Sequence, residues 1–343
     1  MRRIYADLLW FDPRRSAVSA SSAFNYHCVY KNLVKKQTEV VLNTRREFLQ
    51  SSLAFVAASA LPSGAQTGNF DNTLCLFSKH LPGMDYRRLA QIVRKLGFGG
   101  VDLTVRPGGH VLPERAVDDL PKAVAAIRAE GLSVPMITTG LTFANDPTAK
   151  PILATAGKLS IPYFKPGYYR YSFADVRREL EKAMMDFRAL TDLSRQSGVQ
   201  AGFHNHEGYV GAQLWDVAQT IDQLDPKWVG YYFDIRHAVC EGGSGGWKIA
   251  LSLVAPRIKM IAIKDFYWEK TDKGWKQINC PLGKGMVDWK AYFKILRQIN
   301  FRGPISLHLE YEIAGATPAA IEENTIAAAQ RDLDFLKARL IEA

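Results

Sequence analysis

The chain has 343 residues, 47% hydrophobic and 11% aromatic, enough to bury one barrel-sized core or two smaller ones, and its 23% charged residues argue against a wholly disordered chain. Its net charge of +10 is divided: nine Lys/Arg against four Asp/Glu put half of the excess in residues 1–65, and the remainder forms no basic runs with interleaved aromatics, which argues against nucleic acid as a partner. The four cysteines, Cys28, Cys75, Cys240 and Cys280, include no C-x-x-C pair, which argues against a disulfide framework or a structural zinc knuckle.

Near the start, Thr44-Arg45-Arg46-Glu47-Phe48-Leu49-Gln50 precedes SSLAFVAASALPSGA, a weakly apolar run ending in small residues. The arrangement resembles a twin-arginine export signal, with cleavage expected after Ala65 and a periplasmic or otherwise exported destination. The apolar run is too short and too rich in Ser and Ala for a stable membrane span, which takes about 20 apolar residues. Residues 1–65 are therefore read as an extension plus signal, with 1–43 lying upstream of the expected signal start. Residues 66–343 are read as a single domain.

Within that domain, β-rich runs alternate with helical patterns. Strands are expected at Thr73–Ser78, Gly99–Val105, Ser133–Thr138, Ile161–Lys165, Gln200–His204, Val229–Asp234, Ile258–Asp265 and Gly303–Glu310. Helices are expected near Asp85–Leu96, Arg115–Glu130, Pro147–Lys158, Phe173–Ser197, Trp215–Gln223, Trp247–Val254, Trp289–Ile299 and Pro318–Leu340, with Gly198 as a C-terminal stop. Eight strand-helix units in about 270 residues match a (β/α)8 TIM barrel in number and size. A doubly wound sheet is the alternative, and no Gly-rich phosphate fingerprint follows the first strand to support it.

Active sites of such barrels gather where the strands end, because eight loops converge there on one mouth. This chain places Asp102 and Arg106, Lys165, His204 and His206, Asp234 and His237, Lys264 and Asp265, and His308 and Glu310 at those ends. In VGYYFDIRHAVCEGG, Asp234 and His237 are expected on a strand end and its loop, closed by the breaker Gly242-Gly243. A carboxylate beside an imidazole suits a divalent ion or acid/base work; the competing reading is an Asp that caps the next turn and a His satisfied by backbone. Gly167-Tyr168-Tyr169-Arg170-Tyr171 offers aromatic faces for a sugar ring and an arginine for an acidic group, with an aromatic rim packed under a neighbouring loop as the competing reading.

In order along the chain, LFSKHL, GVDLTVRPGGHVLPE, NHEGY, DIRHAVCEGG, IAIKDFYW and HLEYE resemble the sugar phosphate isomerase/epimerase family, the xylose isomerase-like barrels. The resemblance covers most of residues 73–312. It implies a divalent ion held by Glu, Asp, His and Glu at the ends of strands five to eight. Here those positions read His204, Asp234, Ala262 and Glu310, so one ligand is exchanged and one is lost. Asp234, Glu310 and His204 then form the expected metal set, and an imidazole favours Mn, Co or Zn over Mg. Strand alternation puts Lys264 on the same face as Ala262, so its ammonium can stand where the missing charge was, or His308 can donate from one layer deeper; a His308 packed within the barrel is the competing reading.

The resemblance implies proton transfer next to a carbonyl through an enediolate, with Glu310 and His204 as the acid/base pair and Lys264 or a metal polarising the carbonyl. His206, His237, Arg106, Lys165, Tyr169 and Arg170 are the expected substrate-binding residues. A small carbohydrate is the expected partner, and an isomerase or epimerase the expected enzyme. Two alternatives stay open: a lyase or hydratase acting on keto-glycosides, and a non-catalytic exported sugar-binding barrel, which Ala262 would explain directly. Nothing in the sequence sets the number of subunits.

Overall fold

The computed structural model describes residues 70–342. The twin-arginine segment and the expected cleavage site lie outside the described residues. Eight parallel strands close into a barrel: β1 (Leu74–Phe77), β2 (Gly100–Val105), β3 (Ser133–Thr139), β4 (Tyr163–Lys165), β5 (Gln200–His204), β6 (Val229–Asp234), β7 (Ile258–Ile263) and β10 (Ile305–Leu307). Closure runs from β1 to β10, with Leu74, Cys75 and Leu76 opposite Ile305, Ser306 and Leu307. Between the strands lie α1 (Tyr86–Leu96), α2 (Ala116–Ala129), α3 (Ala149–Lys158), α4 (Val176–Gln196), α5 (Leu214–Ile221), α6 (Ile235–Val254) and α7 (Trp289–Gln298); α8 (Pro318–Glu342) follows the last strand. The expected (β/α)8 barrel is the fold observed.

The strands are buried on both faces. β2 and β6 have no exposed residue, which is why they read as near-continuous apolar runs. Leucines, isoleucines and valines fill the layer between strands and helices, while a smaller cluster of Met136, Tyr232, Met260 and Ala262 fills the barrel interior. Gly202 makes room for that cluster: a Cβ there would lie 2.2 Å from the Met260 Cε. Several helices begin on an aspartate that accepts a backbone N–H, Asp85 for α1, Asp175 for α4 and Asp288 for α7. α1 ends on Gly97 at φ +87°, and Gly198, just beyond α4, has φ +73°, conformations that disfavour any other residue.

Three sequence expectations are corrected. The seventh strand stops at Ile263, and residues from Asp265 onward form an antiparallel hairpin, β8 (Asp265–Thr271) with β9 (Gly274–Cys280), outside the barrel. The eighth barrel strand is shorter than expected, because the Leu309 N–H donates to the His80 Nε2 instead of continuing the ladder. Finally, α6 begins at Ile235, directly after Asp234, and breaks at Gly243, where φ is +59°. Asp234 ends the strand as expected and caps the helix, whereas His237 sits on the first turn of that helix rather than on a loop.

Candidate active site

The strand ends surround a cavity of about 290 Å³. Its wall includes His204, from the end of β5, Lys264, just past β7, and Glu310, three residues past β10. Asp234 is fully buried behind them.

Asp234 does two jobs at once. Its Oδ1 accepts the His237 N–H at 3.2 Å and caps α6. Its Oδ2 lies 3.1 Å from the His204 Nε2 and 3.0 Å from the Lys264 Nζ. Asn205 fixes the place of this carboxylate: its side chain donates to the Asp234 carbonyl at 2.9 Å and accepts the Asp234 N–H at 2.8 Å, tying the end of β5 to the end of β6. Burial acts to raise the Asp234 carboxyl, but Lys264 and His204 outweigh it and hold it well below the usual carboxylate range.

His204 is linked at both nitrogens, with Nδ1 3.1 Å from the Tyr168 hydroxyl. Burial drives its pKa well down against the pull of Asp234, so the ring is neutral. The geometry then has Nε2–H donating to Asp234 and Nδ1 accepting from Tyr168, a chain running from the buried carboxylate to a phenol at the cavity wall. His237 is neutral for the same reason, burial first and Lys264 second. Its Nε2 lies 2.6 Å from the Lys264 Nζ, and its Nδ1 faces Arg236 at 3.1 Å and Glu207. His206 lies against the His237 ring, 3.8 Å between centroids, and burial with the nearby Lys264 pulls it down to about 3.

Glu310 is paired with Lys79 at 2.7 Å and faces the His308 Nδ1 at 3.8 Å. Burial raises it, while His308, Lys264 and Lys79 more than offset this and keep it ionised. His308 takes the packed arrangement: its Nε2 meets the Tyr232 hydroxyl at 3.1 Å and the Ser306 Oγ at 3.2 Å, and its ring stacks on Phe77 at 4.4 Å. Beneath it, Asp102 accepts from Thr138 at 2.7 Å and Ser306 at 2.8 Å, so this strand residue organises the buried floor. Asp265 is turned away, accepting five N–H groups from Phe266, Gly283, Gly285, Val287 and the Trp289 indole, and clamps the loop after the hairpin.

Of the expected site residues, Glu310, His204, Lys264, His206, His237, Arg106 and Lys165 line the one cavity. Tyr169 and Arg170 do not, and for these the sequence reading is corrected. Tyr169 is buried in the outer layer against Phe187 and Phe203, and Arg170 is exposed with its guanidinium over Tyr209. The ring that reaches the cavity is Tyr168. Gly167 sets this up, because its N–H donates to Leu141 at 2.7 Å in an approach so close that a Cβ would lie 2.4 Å from the Gly140 carbonyl. Sequence reasoning also missed Lys79, Glu207, Arg236 and Asn279. The first three lie in or beside the quoted motifs LFSKHL, NHEGY and DIRHAVCEGG; Asn279 lies on the unforeseen hairpin and carried no signal.

The donor groups of His204, Asp234 and His237 lie within 4.8 Å of one another, and a second group joins His206, Glu207 and His237. Two imidazoles and a carboxylate suit a divalent ion by donor chemistry. Glu310, expected among the ligands, belongs to neither group and is held by Lys79 instead. The Lys264 ammonium bridges Asp234 and His237, so an ion there would share its ligands with a resident cation. Ala262 lies opposite Asp234 in the ladder and packs with the interior cluster.

A sequence profile described as the xylose isomerase-like TIM barrel matches residues 90–339. Among curated proteins, inosose dehydratase of Lacticaseibacillus casei is 25% identical over 152 residues, 41% of this chain and 50% of the relative, so the chain spans about half the length of the curated relatives it matches first. Among solved structures, the barrel resembles D-psicose 3-epimerase from Clostridium cellulolyticum H10 (TM-score 0.60, 16% identity, 78% of this chain and 99% of that one). It is similar also to 3-keto-D-glucoside 4-epimerase from E. coli (TM-score 0.59, 17% identity, 78% and 100%). At these identities the structural likeness is one of fold.

Proposed function

Since the chain belongs to the xylose isomerase-like TIM barrel family, we propose that it is a sugar isomerase or epimerase that moves a proton next to a carbonyl through an enediolate. The observation that carries this reading is a single cavity walled by a rim carboxylate, Glu310, a carboxylate-backed imidazole, His204, and an ammonium, Lys264. Epimerases among the fold neighbours support it at the level of sugar chemistry.

Lys264 presents its ammonium to the carbonyl oxygen and stabilises the negative charge that develops there. Glu310, kept ionised by its neighbours, takes the proton from the adjacent carbon. As the Lys264 charge turns toward the developing oxyanion, its hold on Glu310 weakens, which raises the basicity of the carboxylate when a proton arrives. On the other side, Tyr168 takes the proton of the neighbouring hydroxyl as its own passes to the Nδ1 of neutral His204, whose positive form Asp234 stabilises; the pair then returns that proton to the substrate oxygen that carried the negative charge, while Glu310 returns its proton to carbon. A divalent ion, when bound, would be held by His204, Asp234 and His237 and would supply Lewis-acid polarisation of the carbonyl, with Mn, Co or Zn favoured over Mg. Export through the twin-arginine segment is part of this reading and directs it to sugars met outside the cytoplasm.

A second reading is favoured by the inosose dehydratase relatives: the same proton abstraction followed by loss of a neighbouring hydroxyl as water, from a keto sugar or cyclitol. The deciding experiment incubates the purified protein with a panel of ketoses, aldoses and 3-keto-glucosides, then follows products by NMR and mass spectrometry. A product of unchanged mass is expected. Loss of the mass of one water selects the dehydratase, and binding without conversion sinks both in favour of a sugar-binding barrel.

A further inference from the structure

Five cationic side chains line the cavity: Lys79, Arg106, Lys165, Arg236 and Lys264. Three have carboxylate partners. Lys79 pairs with Glu310, Arg236 with Glu207, and Lys264 with Asp234. Arg106 and Lys165 have none, and among the described residues neither side chain makes a hydrogen bond or ion pair. Each rests on an aromatic face instead, the Arg106 Cζ 5.6 Å from the Phe77 centroid and the Lys165 Nζ 3.4 Å from that of Tyr168.

This is an expensive arrangement for Lys165, which is 1% exposed. Burial pushes its ammonium well below the usual lysine range, the positive charge of Arg106 adds to the push, and the buried Asp102 offsets only part of it. With Glu310, Glu207 and Asp234 each held by a cation, and the buried Asp102 engaged by three hydroxyls, Arg106 and Lys165 are matched by a ligand that brings its own negative charge.

We propose that Arg106, at the end of β2, and Lys165, at the end of β4, form an anion subsite, and that the substrate is an acidic sugar carrying a carboxylate or a phosphate. The arginine fork matches either group, and the lysine adds a point charge from the cavity floor. About 290 Å³ is at the small end of ligand pockets and suits one sugar unit. The inference rests on the proposed sugar site but not on its chemistry, so binding alone tests it.

Calorimetric titration of the purified full chain with D-glucuronate, D-galacturonate and D-glucose 6-phosphate, each beside its neutral parent sugar, reads the subsite without turnover. At least one acid is expected to bind about tenfold or more tightly than its parent. Whether the uronates or the phosphate shows the gain identifies the anionic group. In Arg106→Gln and Lys165→Met the ratio of acid to parent-sugar affinity should fall by about tenfold. Arg106 is only half-buried, so its variant keeps the test valid if the lysine variant fails to fold. Equal affinity for acids and parents, no binding of any acid, or an acid preference that survives in Arg106→Gln overturns the proposal. An acid that binds and is not converted leaves the subsite standing and removes the reaction.

Discussion

At the residue scale, one buried carboxylate, Asp234, serves both the backbone and the charge balance of the cavity. Asparagine caps helices as well as aspartate does, so Asp234→Asn keeps the start of α6 and removes only the charge beneath Lys264 and His204. This variant should fold, melt lower because Lys264 loses its buried counter-charge, and lose at least about 100-fold in turnover, measured by thermal denaturation and steady-state kinetics. The histidines give a second expectation. His80 and His206 are held to about 3, chiefly by burial, against an unfolded value of about 6.5. Below that unfolded value the unfolded chain binds protons that the folded chain refuses, so stability falls as pH drops from about 6.5 toward 3, by about 1.4 kcal/mol per pH unit for each such histidine. Asp234 and Glu310, depressed in the folded state, add their own loss once the pH falls to about 4 and below. A melting temperature flat between pH 7 and pH 4.5 would contradict this. Most cavity residues were legible in the sequence because strand ends are: His204, Lys264 and Glu310 follow from strand position alone. Tyr168 was not separable from Tyr169, since the direction of each ring is set by the tight contact of Gly167 with a neighbouring loop, and a single sequence carries no record of that contact.

At the element scale, the β8–β9 hairpin is the feature that sequence reasoning did not see. Phe266 to Trp268 resumes the apolar pattern of the seventh strand, and the chain turns out of the barrel at Asp265, which accepts N–H groups of the loop that follows the hairpin. Arg236 fastens this hairpin to α6. Its Nε donates to Asn279 at 3.0 Å, its Nη2 to Gln277 at 2.8 Å, and its guanidinium lies over Phe266. Arg236→Met should therefore speed amide hydrogen exchange across Tyr267–Asn279 while leaving the barrel strands protected; unchanged exchange there would show that the hairpin is held by other contacts. The helix after Asp234 was hidden for a different reason. Glycines at 242 and 243 look like a breaker, and the break at Gly243 is real, but the turn that carries His237 forms upstream of it under the Asp234 cap.

At the scale of the whole molecule, the barrel was readable because eight β/α units in about 270 residues leave few alternatives. The cavity's balance of charge was not readable, because which cations find carboxylates is decided across the mouth by residues as far apart as Lys79 and Glu310. The proposed export rests on residues 1–65: replacing Arg45 and Arg46 together with lysine should hold the full-length chain in the cytoplasm, as fractionation and immunoblotting would reveal, whereas export of that variant would remove the twin-arginine proposal. The most direct measurement of the proposed chemistry is isotopic. Incubated in heavy water with a sugar that it converts, the wild-type protein should place deuterium on the carbon next to the carbonyl, and Glu310→Gln, folded and still binding that sugar, should not. Product formed without any deuterium, or undiminished deuterium incorporation by the glutamine variant, would contradict the proton-transfer role given to this cavity.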